Sequence, residues 1–322
     1  MIAEHTQTTT EAPIVLQCVD LCKCYNGVVQ ASDHINFTLR RGEVHAFLGE
    51  NGAGKSTLMK MLYGIEQPDE GQMFLSGEPV VLKSPADAIA HGIGMVHQEL
   101  MLIPHLTVAE NITLGQEVRT RCGRLKKQEA SRSIRELAAS YGLDIDPDAL
   151  VDKLTIGQRQ RVEIVKLLYR KADILIFDEP TTGLDPQTRK LLWDVVTELR
   201  RTEKLTVFLT THYMEEAADA DYVVILDSGK IVGEGTPLQL KNIYAGDFVM
   251  IYGVDEAAVK ALGRAYTPVR DGWRIAVANT GEATKLIIEN PALFVDYEIT
   301  KGKMDDVFLA VTGKKLNGGE EK

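Results

Sequence analysis

No apolar run approaches the eighteen or so residues that a membrane-spanning helix needs, so the chain is not expected to cross a bilayer itself. Positive charge is also in short supply. Lys and Arg total 36 against 46 Asp and Glu, which gives a net charge of −10 and a pI near 5.3. That balance excludes the basic footprint of a nucleic-acid binder, and no nucleic-acid partner is expected. Only four cysteines occur in 322 residues (Cys18, Cys22, Cys24 and Cys122), too few for a disulfide scaffold. They lack the paired C-x-x-C spacing of a structural zinc site, and three fall on an apparent strand, so they read as reduced cytosolic thiols. The polar, threonine-rich stretch 1–13 has no apolar h-region and reads as a disordered leader rather than a signal peptide. Internal repeats and low-complexity segments are absent. One local departure is the basic run Arg119, Arg121, Arg124, Lys126 and Lys127, which suits a solvated loop, anionic headgroups or a partner.

What is present centres on Gly49-Glu50-Asn51-Gly52-Ala53-Gly54-Lys55-Ser56. An apolar run from Val44 to Leu48 leads in, and Ser56 to Tyr63 leads out with Leu58, Met61 and Leu62 on one helical face. The spacing is G-x-x-x-x-G-K-[ST] in its strand–loop–helix context, which predicts a loop whose backbone N–H groups cradle phosphates. Glycine lets the chain wrap closely around an anion, and the helix N-terminus adds partial positive charge. Lys55 is expected to reach the β- and γ-phosphates, and Ser56 to ligate Mg²⁺. Gly64 is placed to stop the helix.

The rest of the chain supplies residues that are ambiguous one at a time. Ile14 to Tyr25 and Val28 to Leu39 read as strands joined by an Asn26-Gly27 turn. Tyr25 could be an aromatic platform or an ordinary strand aromatic. A hairpin around Ser76-Gly77 and a helix over Ser84 to His91 precede a short buried-looking strand, with Gln98 just past it. From Thr107 to about Tyr141 the pattern is helical and charged. Thr155 is a good N-cap for the helix that follows Leu154-Thr155-Ile156-Gly157-Gln158. Ile174 to Phe177 has the character of a buried parallel strand, and it ends in Asp178-Glu179. Carboxylates there are costly to bury unpaired, so they call for a metal or a proton-transfer role. Gly183-Leu184-Asp185 leads into a helix from Pro186 to Arg201. Thr206 to Thr211 is another buried strand, with His212 at its end. Near 241–247 the pattern shifts to a small α+β unit with strands at 248–254, 273–277 and 295–299 and helices at 257–262, 283–288 and 304–311.

In this order the phosphate loop, Gln98, LTIGQRQR, DEP, GLD and His212 resemble the ATP-binding subunit of an ABC transporter over about residues 14 to 240. The resemblance implies an α/β phosphate-loop cassette, a mixed sheet core with a helical subdomain at about 99–170. The expected division is 1–13 leader, 14–242 ATPase domain, 246–316 C-terminal α+β domain and 317–322 charged tail. Carried over by position, Tyr25 stacks on adenine and Gly49, Asn51, Gly52, Ala53, Gly54, Lys55, Ser56 and Thr57 hold the phosphates. Thr155, Gly157 and Gln158 belong to the family signature, which here reads LTIGQ with Ile156 in place of a glycine. Asp185 is the D-loop residue. Ser56, Gln98 and Asp178 would hold Mg²⁺, while Glu179, His212 and Gln98 would serve catalysis.

The implied activity is ATP hydrolysis coupled to substrate movement by a separate integral-membrane permease. A second cassette would complete a dimer, peripheral on the cytoplasmic face of the plasma membrane. The first half is similar to importers of simple sugars or nucleosides, while the second half and C-terminal unit are similar to drug-resistance and sodium-extrusion exporters. On that unit and the single cassette, export is favoured over import. The alternatives are an importer cassette or a soluble ABC ATPase without transport. Repair types insert a long coiled coil and translation types carry two cassettes, and neither feature is present. A regulatory cassette that does not hydrolyse ATP would not be expected to keep Glu179 and His212.

Overall fold

The computed structural model describes residues 12–97, 101–117, 119, 125–182, 184 and 186–313. Strands β1 (Ile14–Tyr25) and β2 (Val29–Arg40) form the expected hairpin. Asn26 and Gly27 both take left-handed φ, 53° and 67°, and Val28 N–H closes the turn onto Tyr25 O at 3.1 Å. Then come β3 (Val44–Leu48), buried throughout, and α1 (Lys55–Leu62). Strands β4 (Glu70–Leu75) and β5 (Glu78–Val80) turn at Ser76-Gly77 and join β1 and β2 in an antiparallel sheet of order β2-β1-β4-β5. Helix α2 (Pro85–Ala90) starts on Ser84, whose hydroxyl accepts from Asp87 N–H, and leads to β6 (Ile93–Val96).

The expected helical stretch from 107 to 141 is not continuous. It holds α3 (Val108–Thr113), started by a Thr107–Glu110 capping box, and α4 (Lys127–Ser140), and Gly115 between them takes φ 83°. Helix α5 (Ile156–Tyr169) follows, then β7 (Ile174–Asp178), α6 (Pro186–Glu203), β8 (Thr206–Thr211) and α7 (Met214–Asp219). A hairpin of β9 (Tyr222–Asp227) and β10 (Lys230–Gly235) closes the second sheet, of order β10-β9-β3-β8-β7-β6, with every pair parallel except β10 and β9. Buried on both faces, β3, β7 and β8 are apolar or threonine except for His45 and the strand-end Asp178, as a parallel core requires.

Helix α8 (Pro237–Leu240) and one π-helical turn at Lys241–Ala245 lead to the third sheet. Its order is β12-β13-β11-β14, built from β11 (Asp247–Tyr252), α9 (Glu256–Ala261), β12 (Tyr266–Val269), β13 (Gly272–Val277), α10 (Thr280–Glu289) and β14 (Tyr297–Lys301). This sheet has a small core of its own around Val249, Ile251, Ile275 and Leu286. The last helix among the described residues, α11 (Met304–Thr312), does not join that core. Its Met304, Val307 and Phe308 are buried in the large cluster that contains Val207, Val223, Ala217 and Leu240. A two-pronged Arg274–Asp306 ion pair, 3.2 and 2.8 Å, ties the same helix back to β13. The expected boundary between cassette and C-terminal unit is therefore crossed by this helix.

Candidate functional site

Strand β3 delivers the glycine-rich loop from the middle of the parallel sheet. A Cβ on Gly49 would lie 2.6 Å from Leu226 O, and one on Gly54 would lie 2.1 Å from Ala31 O. Gly54 also has φ 102°, so this bend onto α1 admits no side chain. Lys55 is buried at 4% exposure. Its Nζ donates to Gly49 O at 2.8 Å and to Glu50 O at 3.1 Å, which folds the ammonium back over the loop.

Strand β7 brings the two carboxylates. Asp178 Oδ1 accepts from Ser56 Oγ at 3.1 Å and from Thr210 Oγ1 at 2.8 Å. Thr210 Oγ1 in turn accepts Glu179 N–H at 2.9 Å, so one hydroxyl fixes both acidic residues. Glu179 leaves the strand with φ 48°, a left-handed turn that a bulky residue adopts only when its neighbours hold it there. The turn aims its carboxylate at Lys55, with Oε1 3.2 Å from Nζ. Its other oxygen stands 3.8 Å from His212 Nδ1, a buried nitrogen without a hydrogen-bond partner among the described residues. His212 is carried from the end of β8 and packs on Tyr213 at 4.2 Å.

These groups open into one cleft of about 590 Å³, lined by Tyr25, Asn51, Gly52, Gly54, Lys55, Ser56, Thr57, Glu179 and His212. Asp178 lies beneath the lining at 6% exposure. Gly49 and Ala53 shape the loop from behind and do not line the cleft. Thr155, Gly157 and Gln158 stand apart from it at the start of α5. Thr155 is the N-cap, and its hydroxyl accepts Gln158 N–H at 3.3 Å while Gln158 Oε1 accepts Thr155 N–H at 2.9 Å. Gln98 and Asp185 lie outside the described residues. Thr210 was not anticipated, nor were the cleft-lining Val29, Ala31 and Thr182. The available signal for Thr210 was a pair of hydroxyl residues, Thr210-Thr211, ending an otherwise apolar buried strand.

A central parallel strand, a glycine loop closing on a buried lysine and a carboxylate pair at the end of β7, one strand beyond β8, define a phosphate-loop α/β fold. Residues 32–182 match the family model described as ABC transporter, and the chain carries an ABC transporter ATP-binding cassette. It is 46% identical over 246 residues to a glucose import ATP-binding protein of Haloferax volcanii, covering 68% of this chain and 44% of that one. It is 44% identical over 238 residues to a nucleoside import ATP-binding protein of Lactococcus lactis, covering 72% and 46%. The chain thus spans about half the length of the curated relatives it matches. Among solved structures it is similar to a Clostridium perfringens cassette that is part of an ABC transporter complex. The TM-score is 0.62 at 27% identity, covering 71% of this chain and 90% of that one. It is also similar to a dimeric bacterial ABC transporter cassette, with TM-score 0.61 at 25% identity, covering 69% and 98%. The exporter likeness of the second half has no counterpart among these relatives, both of which are named for import.

Proposed function

We propose that the chain is the ATP-hydrolysing subunit of an importer of simple sugars or nucleosides, working through separate membrane subunits. The observation that carries the reading is the Glu179 carboxylate held between Lys55 and His212 at the mouth of the phosphate loop. It occurs in a chain 42 to 46% identical to import ATP-binding proteins. Import therefore replaces export, which the C-terminal unit had favoured, as the preferred direction.

In this reading Tyr25 stacks on adenine, and the loop from Gly49 to Thr57 wraps the phosphates with Lys55 between them. The Lys55–Glu179 pair has to open as phosphate arrives, and that frees Glu179. The carboxylate then takes the proton of the attacking water, while His212 donates to the γ-phosphate. Ser56 and Asp178 place a hydroxyl and a carboxylate oxygen side by side, a hard donor set that fits Mg²⁺. They would hold the ion together with Gln98, and the ion would neutralise charge building on the β- and γ-phosphates.

Thr155, Gly157 and Gln158 do not line their own cleft, which suits a head-to-tail pair of cassettes. The α5 N-terminus of one copy would then close over the phosphates of the other. The Thr155 hydroxyl accepts within its cap and keeps its own proton for a phosphate oxygen. Pairing and separation of the two copies would drive an integral-membrane permease, with the cassettes peripheral on its cytoplasmic side.

Tagged protein captured from solubilised host membranes under ATP-trapping conditions tests the reading. A permease recovered with a solute-binding protein is the expected result. A membrane subunit without any binding protein would restore export, and the absence of every membrane protein would leave a soluble ATPase.

A further inference from the structure

The antiparallel sheet carries a cluster that takes no part in the cleft. Cys22 on β1 and Asp33 and His34 on β2 each place one ligand atom within 4.8 Å of the other two. Strand irregularity is what gathers them. The β1–β2 register shifts between Cys18 and Leu21 and again between Leu21 and Lys23. Asp20 and His34 both bend through left-handed backbone at φ 50°. His34 N–H donates to Cys22 Sγ at 3.3 Å. Its ring stands between two carboxylates, with Nδ1 3.8 Å from Asp20 Oδ1 and Nε2 3.9 Å from Asp33 Oδ1. Asp20 Oδ1 also accepts from Asn36 Nδ2 at 3.0 Å. Lys230 Nζ lies 3.1 Å from Asp33 Oδ2, on a side chain that is 63% exposed and free to swing outward.

We propose that Cys22, Asp33 and His34 bind a divalent transition metal of the Zn²⁺ class, with water completing a four-coordinate shell. Sulfur, imidazole nitrogen and carboxylate oxygen together are the donor set such ions take, at roughly 2.0 to 2.3 Å. Mg²⁺ demands oxygen ligands and is excluded by this set. Donors around a tetrahedral ion stand about 3.5 Å apart, so the gathered atoms need to close by about an ångström. His34 is 65% exposed at its side chain and has the room to do so. Binding releases the Cys22 thiol proton, which makes affinity rise with pH. Sequence spacing hides the site because its ligands come from two strands. The cluster also stands directly behind the phosphate loop, since Asp33 N–H donates to Gly229 O at 2.8 Å and Gly229 N–H to Ala53 O at 3.0 Å.

The test is a titration of the full chain, reduced and without nucleotide, with Co²⁺ as the spectroscopic probe. Thiolate-to-cobalt charge-transfer absorption is expected in the near ultraviolet, saturating at one ion per chain and displaced by Zn²⁺. Cobalt held by Ser56 and Asp178 would lack that band, because no sulfur is present there. Cys22→Ser should abolish the band, while Cys24→Ser should leave it intact. His34→Asn keeps a residue that tolerates left-handed φ and should weaken Co²⁺ binding about tenfold or more. It remains decisive even where Cys22→Ser fails to fold. Absence of the band at millimolar Co²⁺, its persistence in Cys22→Ser, or unchanged affinity in His34→Asn would each overturn the site.

Discussion

Replacing Glu179 by Gln separates the two jobs that its position suggests. The carboxylate is 3.2 Å from Lys55 Nζ with only 10% of its side chain exposed. At an effective dielectric near 20 the gross attraction is about 5 kcal/mol, most of it offset by the cost of desolvating both charges. A remainder of about 1 kcal/mol is what phosphate has to displace to reach Lys55, and it corresponds to about fivefold in affinity. The amide has no charge and cannot take a proton from water. Glu179→Gln is therefore expected to bind ATP about as tightly as the parent or several-fold tighter, by calorimetry. Phosphate release should fall by about 10² to 10⁴, a rise of roughly 3 to 5 kcal/mol in barrier. Because ATP is held and not consumed, light scattering should show the dimer accumulating. Turnover within tenfold of the parent would remove Glu179 as the base, and a large loss of ATP affinity would mean that its pair with Lys55 shapes the cleft instead of guarding it.

Gly54→Ala should lose nucleotide binding, since its Cβ would meet Ala31 O at 2.1 Å on backbone at φ 102°, and a normal ATP isotherm would contradict the close-approach argument. Phe308→Ala empties a site at 1% exposure in the large core, so chemical denaturation should report a loss of about 3 to 5 kcal/mol; a change under about 1 kcal/mol would mean α11 is not needed by the cassette. His45 is stacked on Tyr222 at 5.0 Å, and burial lowers its pKa below the usual histidine value despite the Glu43 carboxylate 2.9 Å away. The unfolded chain then binds the extra proton first, so this residue's contribution to stability falls as pH drops below about 6.5. His45→Phe should flatten the slope of unfolding free energy between pH 7 and 5.5 relative to the parent, and identical slopes would refute the assignment. Thr155→Ala should cost about 1 kcal/mol through its cap, and a larger fractional loss of phosphate release than of stability would mark its second role.

The phosphate loop was legible because its chemistry is local. Glycines, a lysine and a hydroxyl sit within eight consecutive residues, and the apolar run before them can only be a buried strand. Glu179 was legible for a related reason, as a charge at the tip of an apolar run demands a partner. That its partner is Lys55 was not, because the pairing depends on β7 and β3 lying on either side of β8, and strand order is written nowhere in the local pattern. The same reason hid Thr210, whose two hydrogen bonds reach across strands to Asp178 and Glu179. Among smaller elements, α7, α8 and β12 went unread, each six residues or fewer and too short for periodicity to stand out. The expected helical stretch over 107–141 breaks after Thr113, where Leu114 turns extended at ψ 119° and Gly115 takes left-handed backbone.

Helix α11 has a consequence for how the chain is made. A ribosome releases the strands of the parallel sheet long before residues 304–308, yet Met304, Val307 and Phe308 belong to the same buried core, where α11 packs against α7, α8 and β10. The sheet of β11 to β14 is synthesised in between, and the Arg274–Asp306 pair ties the arriving helix to β13. Until this helix emerges, the apolar surface that Met304, Val307 and Phe308 cover lacks its partner, and its burial falls to the last part of synthesis.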